Sequence, residues 1–178
     1  WAQTVSLPYT ITFIFFDQEE TGLCGSNYYV RQLSQSKKNI IAFMVNLDSI
    51  AAGDYCYIYG GTDTGNGTVT NAEVVYRAKA LTESLGLPIR LNKDIPQIRK
   101  SPACGDYGDK VPFEEAGIPY LYMEATNWDI PGYGWNQTVK FGTIMHSKYD
   151  EFDVLTGPNG FGNRIYSNVA TYVSLLKE

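Results

Sequence analysis

The chain has 178 residues, a formal net charge of −5 and 44% apolar residues, which suits one domain with a sizeable core. The acidic balance argues against a nucleic-acid-binding face, which needs clustered Lys and Arg, and no apolar run approaches the length of a membrane span. Cys24, Cys56 and Cys104 are odd in number and lack CxxC spacing, so they make neither a disulfide framework nor a zinc ribbon.

Residues 10–16 are apolar on both faces, the pattern of a buried parallel strand. Glu19 and Glu20 follow directly, in "FFDQEETGLCGS", and a helix is expected from about Leu23 to Leu33. A second buried strand covers 41–47 and ends on Asp48; a third covers 55–60. Thr70-Asn71-Ala72-Glu73 reads as a capping box, followed by Val74, Ala78, Leu81 and Leu85 at helical spacing and by Gly86 as a stop. Residues 87–111 read as loop with a short strand. A short helix near Phe113–Ala116 precedes a strand at 117–125. Residues 126–145 have no period and carry Trp128, Tyr133, Trp135 and Phe141. The final helix places Ile165, Val169, Tyr172, Val173 and Leu176 on one face. This order predicts a single α/β domain over 1–178, with a mainly parallel sheet and helices on both sides.

Ligands of open α/β sheets gather outside the carboxyl ends of the strands. Glu19, Glu20 and Asp48 fall at such ends, and His146, in "IMHSKYDEFD", closes the long loop. Carboxylate and imidazole donors in these places suit a hard-to-borderline metal. Each residue also has an ordinary reading: adjacent glutamates as a solvated turn, an Asp after a strand as a turn former or cap, a lone His as a hydrogen-bonded structural group.

Taken together the motifs resemble a family. "FFDQEETGLCGS" is similar to the Glu-Glu-x-Gly-Leu-x-Gly-Ser signature of the co-catalytic di-zinc aminopeptidases, family twenty-eight of the metallopeptidases. "NLDSI", "GDKVPFEEAGIPYLYMEA" and "MHSKYDEFD" resemble its later motifs, in the family's order. The finer likeness is to the alkaline-phosphatase isozyme-conversion aminopeptidases. The resemblance implies a three-layer αβα sandwich with a mainly parallel mixed sheet, of zinc-exopeptidase type. It implies that Glu20 and His146 bind one zinc, Asp48 binds a second, and Glu19 acts as general base toward zinc-bound water. Asp109 matches a further motif acid, and Tyr133 and Trp135 are candidates for contacting substrate, a peptide with a free N-terminus.

The sequence also departs from the family. A histidine and a bridging aspartate expected before the Glu-Glu motif have no counterpart in residues 1–18, and Lys110 stands where a histidine is common. The expectation is a partial domain that lacks its first strands, holds three of five ligands, and binds zinc weakly or not at all, against two zincs in an intact enzyme. An exposed sheet edge would then be open to dimer pairing or strand exchange. Family habit adds an extracytoplasmic or secreted location. Two other functions fit the same residues: a glutaminyl-cyclase-like transferase and a non-catalytic binding module.

Overall fold

A computed structural model describes residues 6–64, 68–91, 107–131 and 136–178. In chain order the elements are α1 (Cys24–Gln32), α2 (Gln35–Asn39), β1 (Met44–Leu47), β2 (Tyr55–Tyr59), β3 (Thr62–Asp63), β4 (Val69–Thr70), α3 (Glu73–Ser84), β5 (Ile89–Leu91), α4 (Val111–Glu115), β6 (Tyr120–Thr126), α5 (Phe152–Thr156) and α6 (Arg164–Leu176). Cys104, Tyr133 and Trp135 lie outside the described residues.

The main sheet has the order β1-β6-β2-β5, and β3 and β4 form a separate hairpin. β1 runs parallel to β6, with Met44 opposite Tyr120 and Leu47 opposite Met123, and β2 runs parallel to β5. β2 and β6 are antiparallel, with Tyr57 opposite Glu124. The sheet is therefore mixed and mainly parallel, as expected. All seven residues of β6 are buried, which is why its sequence, "YLYMEAT", shows no polar alternation.

Alternation along the strands divides the core into two layers. Cys56, Ile58, Leu121 and Met123 point to one face, where Val75 of α3 and Tyr172 and Leu175 of α6 cover them. On the other face Tyr57, Tyr59, Tyr120 and Tyr122 pack together, while Val30 of α1 joins Phe113 and Ile118 around α4. Buried tyrosines need partners for their hydroxyls. Tyr59 donates to Glu124 Oε2 at 2.8 Å, and Tyr120 donates to the Gly61 carbonyl at 2.9 Å. Helices thus lie on both sides of the sheet, giving the αβα arrangement.

Four expectations need correction. Residues 10–16 form no strand: Phe13 and Phe15 are 76% and 98% exposed, and only Phe16 turns inward, onto Tyr29 and Phe113. Apolar character favours burial, but an extended segment becomes a strand only when a neighbouring edge takes its N–H and C=O groups. Among the described residues β1 pairs with β6 alone, and the 10–16 segment is not docked on its other edge.

The capping box does not form either. Asn71 adopts φ 54°, so Ala72 rather than Thr70 precedes α3, and no side chain caps the helix. The second strand begins at Met44 rather than at residue 41. Finally, the buried face of α6 is Ile165, Asn168, Tyr172 and Leu175, whereas Val173 and Leu176 are exposed. Asn168 belongs to the core face because its amide donates to the carbonyls of Ala51 and Gly53, at 2.8 and 2.9 Å.

Candidate functional site

The Glu19-Glu20 turn is built by its own backbone. Gly22 and Leu23 donate to the Glu19 carbonyl at 3.1 and 2.9 Å, and the first amides of α1, at Cys24 and Gly25, donate to Gln18 and Asp17. The helix therefore meets its unpaired N-terminal donors with the loop that carries the two carboxylates. Gly25 is needed for that fit, since a Cβ there would stand 2.7 Å from the Asp17 carbonyl oxygen. Gly22, at φ 107°, supplies the tight reversal.

Asp48 follows β1, and its amide donates to the Met123 carbonyl at 3.2 Å, extending the ladder by one step. Its carboxylate accepts from Ser49 Oγ at 3.3 Å and from Tyr122 Oη at 3.4 Å. His146 arrives from the long loop before α5. Its Nε2 lies 3.1 Å from Glu20 Oε1, both side chains being exposed, and its backbone amide donates to Asp150 Oδ2 at 3.3 Å. Glu20 and His146, from opposite ends of the chain, thus meet.

The electrostatics draw Glu19, Asp48 and Asp109 into the same cluster. Burial raises the Glu19 carboxyl above its ordinary range; the charges of Glu20, Asp48 and Asp109 raise it further, and His146 opposes them. Burial likewise raises Asp48. The hydrogen bonds from Ser49 and Tyr122 offset part of that, and the charges of Glu20 and Asp109 add to it. Asp109 Oδ1 and Asn46 Oδ1 are buried without a hydrogen-bond partner. Beside them Gly108 stands so close that a Cβ would lie 3.5 Å from Asp48 Oδ2. Crowded carboxylates and orphaned acceptor oxygens make a place that favours positive charge.

Three of the loops carry left-handed backbone at non-glycine residues: Gln18 (φ 56°) before the glutamates, Ser49 (φ 48°) after Asp48, and His146 itself (φ 58°). Such conformations cost energy and persist only where the surroundings fix them, often at functional sites.

The donor chemistry suits zinc, but the geometry does not complete a cage. Among the described residues no three His, Cys, Asp or Glu side chains converge on one point. The pair Glu20–His146 is in contact, and Asp48 belongs to the same cluster without joining that pair. The residues present therefore do not by themselves fit a zinc ion.

Trp128 and Phe141, from the same loop as Tyr133 and Trp135, are half-buried against the protein's own side chains. Trp128 donates through Nε1 to Tyr59 Oη at 2.7 Å, and Phe141 stacks on Tyr149 and meets Phe161 edge-on. Sequence reasoning did not single out Asn46, Tyr122 or Gln137. Asn46 stands in the quoted "NLDSI" and could have been weighed; the other two carry no local signal.

A model of peptidase family M28 matches residues 2–171. The chain is 30% identical over 126 residues to the alkaline phosphatase isozyme conversion protein of Escherichia coli K12, covering 68% of this chain and 34% of that protein. It is 33% identical over 87 residues to a probable leucine aminopeptidase 2 of Aspergillus oryzae, covering 47% and 18%. Similar solved structures include BSAP, a zinc aminopeptidase from Bacillus subtilis, at 25% identity and TM-score 0.48 over 67% of this chain and 27% of that one. An aminopeptidase from Aneurinibacillus sp. strain AM-1 aligns at 22% identity and TM-score 0.45, over 86% and 31%. The matched regions span about a third or less of these relatives.

Proposed function

The chain belongs to peptidase family M28, and on that premise we propose that the whole protein is a zinc-dependent aminopeptidase that removes residues from the free N-terminus of peptides. The names of the curated relatives support the reading. The observation that carries it is the contact between His146 Nε2 and Glu20 Oε1 at 3.1 Å, with Glu19, Asp48 and Asp109 in the same charge cluster. Glu20, His146 and Asp48 are the metal ligands of this proposal, and further ligands are required to close the shell.

Glu19 is the general base. Its neighbour Glu20 is engaged with His146, whereas a carboxyl raised toward neutrality by burial and like charge is suited to take a proton and return it. In this role it removes a proton from the water attacking the peptide carbonyl and delivers it to the departing amine. Asp109, whose buried oxygen has no hydrogen-bond partner among the described residues, is in this proposal the group that receives the positively charged α-amine of the substrate.

The test counts metal and hydrolysis together. The whole protein, incubated with zinc and dialysed, is analysed for metal and assayed on an aminoacyl anilide. Glu19→Gln should keep its zinc and lose hydrolysis by about 10²–10⁴-fold, while Glu20→Gln and His146→Gln should lose zinc. Wild-type turnover in Glu19→Gln would exclude the general-base role.

A non-catalytic binding module is the second reading, and whole protein that stays zinc-free after incubation would select it.

A further inference from the structure

We infer that Gln137 is the positioning residue of this site: its buried carboxamide oxygen holds the two amides before His146 and so keeps the imidazole turned toward Glu20. The inference rests on the proposed function for its catalytic meaning, but not for its geometry.

Gln137 is 3% exposed, although it sits in a loop without regular structure. Its Oε1 accepts from Ile144 N at 2.7 Å and from Met145 N at 3.3 Å. One oxygen thus binds two successive N–H groups, which fixes the orientation of the peptide between them and leaves the chain little choice on entering the next residue. That residue is His146, at φ 58°, a conformation that relaxes to the right-handed region unless its flanks are held. The His146 amide is bound to Asp150 Oδ2, and on the far flank Ser147 N donates to the Ile144 carbonyl at 2.9 Å. The strained residue is therefore clamped on both sides.

Gln137 is itself anchored to the sheet end. Its carbonyl accepts from Asp54 N at 3.0 Å, and Asp54 in turn takes Arg164 Nη1 from α6 at 2.7 Å and Val139 N at 2.7 Å. The clamp thus transmits the rigidity of β2 and α6 to an exposed imidazole. Without it the Ile144 amide, in a residue 2% exposed, loses that acceptor and the loop must rearrange to satisfy it.

The chain contains one histidine, so its ring signals in an NMR spectrum belong to His146. Gln137→Leu removes the acceptor at similar volume, Gln137→Glu restores it, and Gln137→Asn withdraws it in a milder variant should the leucine form not fold. Ile89→Ala, in β5 and in another part of the core, is the control for general destabilisation. We expect a nuclear Overhauser contact between the His146 ring and Glu20 in wild type and in Gln137→Glu, lost in Gln137→Leu and Gln137→Asn. Amide exchange at Ile144 and Met145 should accelerate at least 10-fold in the same two variants. Ile89→Ala should change none of these.

An unchanged ring contact and unchanged exchange in Gln137→Leu or Gln137→Asn would overturn the inference, as would equal losses in Ile89→Ala. Failure of the proposed function is read separately, from zinc and hydrolysis in the whole protein, so the ring contact and exchange rates in this chain decide the role of Gln137 whether or not it binds zinc.

Discussion

Tyr172→Phe removes a single oxygen from the centre of the protein, and its effect can be worked out from the hydrogen bonds at that point. The Tyr172 ring, 1% exposed, comes from α6, and its hydroxyl reaches between β2 and β6, where it accepts from Tyr57 N at 2.9 Å and donates to the Glu124 carbonyl. Phenylalanine keeps the ring and its apolar packing, so no large cavity opens. What remains is a buried Tyr57 amide deprived of that acceptor and a carbonyl deprived of that donor, at a cost of about 1–3 kcal/mol for an unsatisfied buried group. For a domain of this size about 1 kcal/mol lowers Tm by about 2–4 °C, so a loss of about 4–8 °C is expected for a cost near 2 kcal/mol. Thermal unfolding followed by circular dichroism, with urea titration as a second measure, reads it directly. A Tm within 1 °C of wild type would show that the two strands close over the gap and that the hydroxyl is not part of the ladder.

Four other outcomes follow from local features. Burial pushes the Cys56 thiol up to about 11. Its folded value thus lies above the unfolded one, the contribution to stability is complete below pH 9 and is lost as pH rises through about 11, and Cys56→Ser should flatten the alkaline fall by on the order of 2 kcal/mol. In labelling with iodoacetamide at pH 8 mapped by mass spectrometry, exposed Cys24 should react quickly and Cys56 only as the protein opens. Gly53→Ala should destabilise by more than a typical surface change, since a Cβ there would overlap the Ala125–Thr126 backbone, and unaltered urea stability would refute that close approach. Replacing exposed Phe13 and Phe15 together by serine should reduce binding of a hydrophobic dye and concentration-dependent association without lowering Tm; an unchanged dye signal would show that these rings are already covered.

The readable parts of the sequence are those where one physical demand acts alone. β2 and β6 declare themselves because strands covered on both faces are largely apolar, whereas β1 is an edge strand in which only Asn46 is buried. The same signal misleads at residues 10–16, because composition records a preference for burial and says nothing of whether a partner edge exists. In α6 the hydrophobic spacing points to Val173 and Leu176, yet the core face runs through Asn168, a polar residue whose amide satisfies two loop carbonyls; such a residue is invisible to an apolar count. At the site, Glu19, Glu20, Asp48 and His146 were legible through the order of short motifs, and Asp109 through one of them. Gln137 was not: a lone glutamine in an aperiodic loop carries no pattern, and its role exists only once Ile144 and Met145 fold back upon it. Tyr122 is hidden for another reason, since its packing role in β6 already accounts for it.

The left-handed residues around the site also bear on how this protein tolerates mutation. Gln18, Ser49 and His146 each occupy backbone that Gly, Asn and Asp enter at small cost and that Val, Ile and Thr resist. In an exhaustive substitution library, these three positions would reject β-branched residues for shape alone, whatever chemistry the side chain performs. Asparagine at 146 would preserve the loop and delete the imidazole, whereas valine would delete both. The contrast between those two replacements separates a residue retained for its ring from one retained for its bend, a distinction that intolerance to substitution by itself cannot draw.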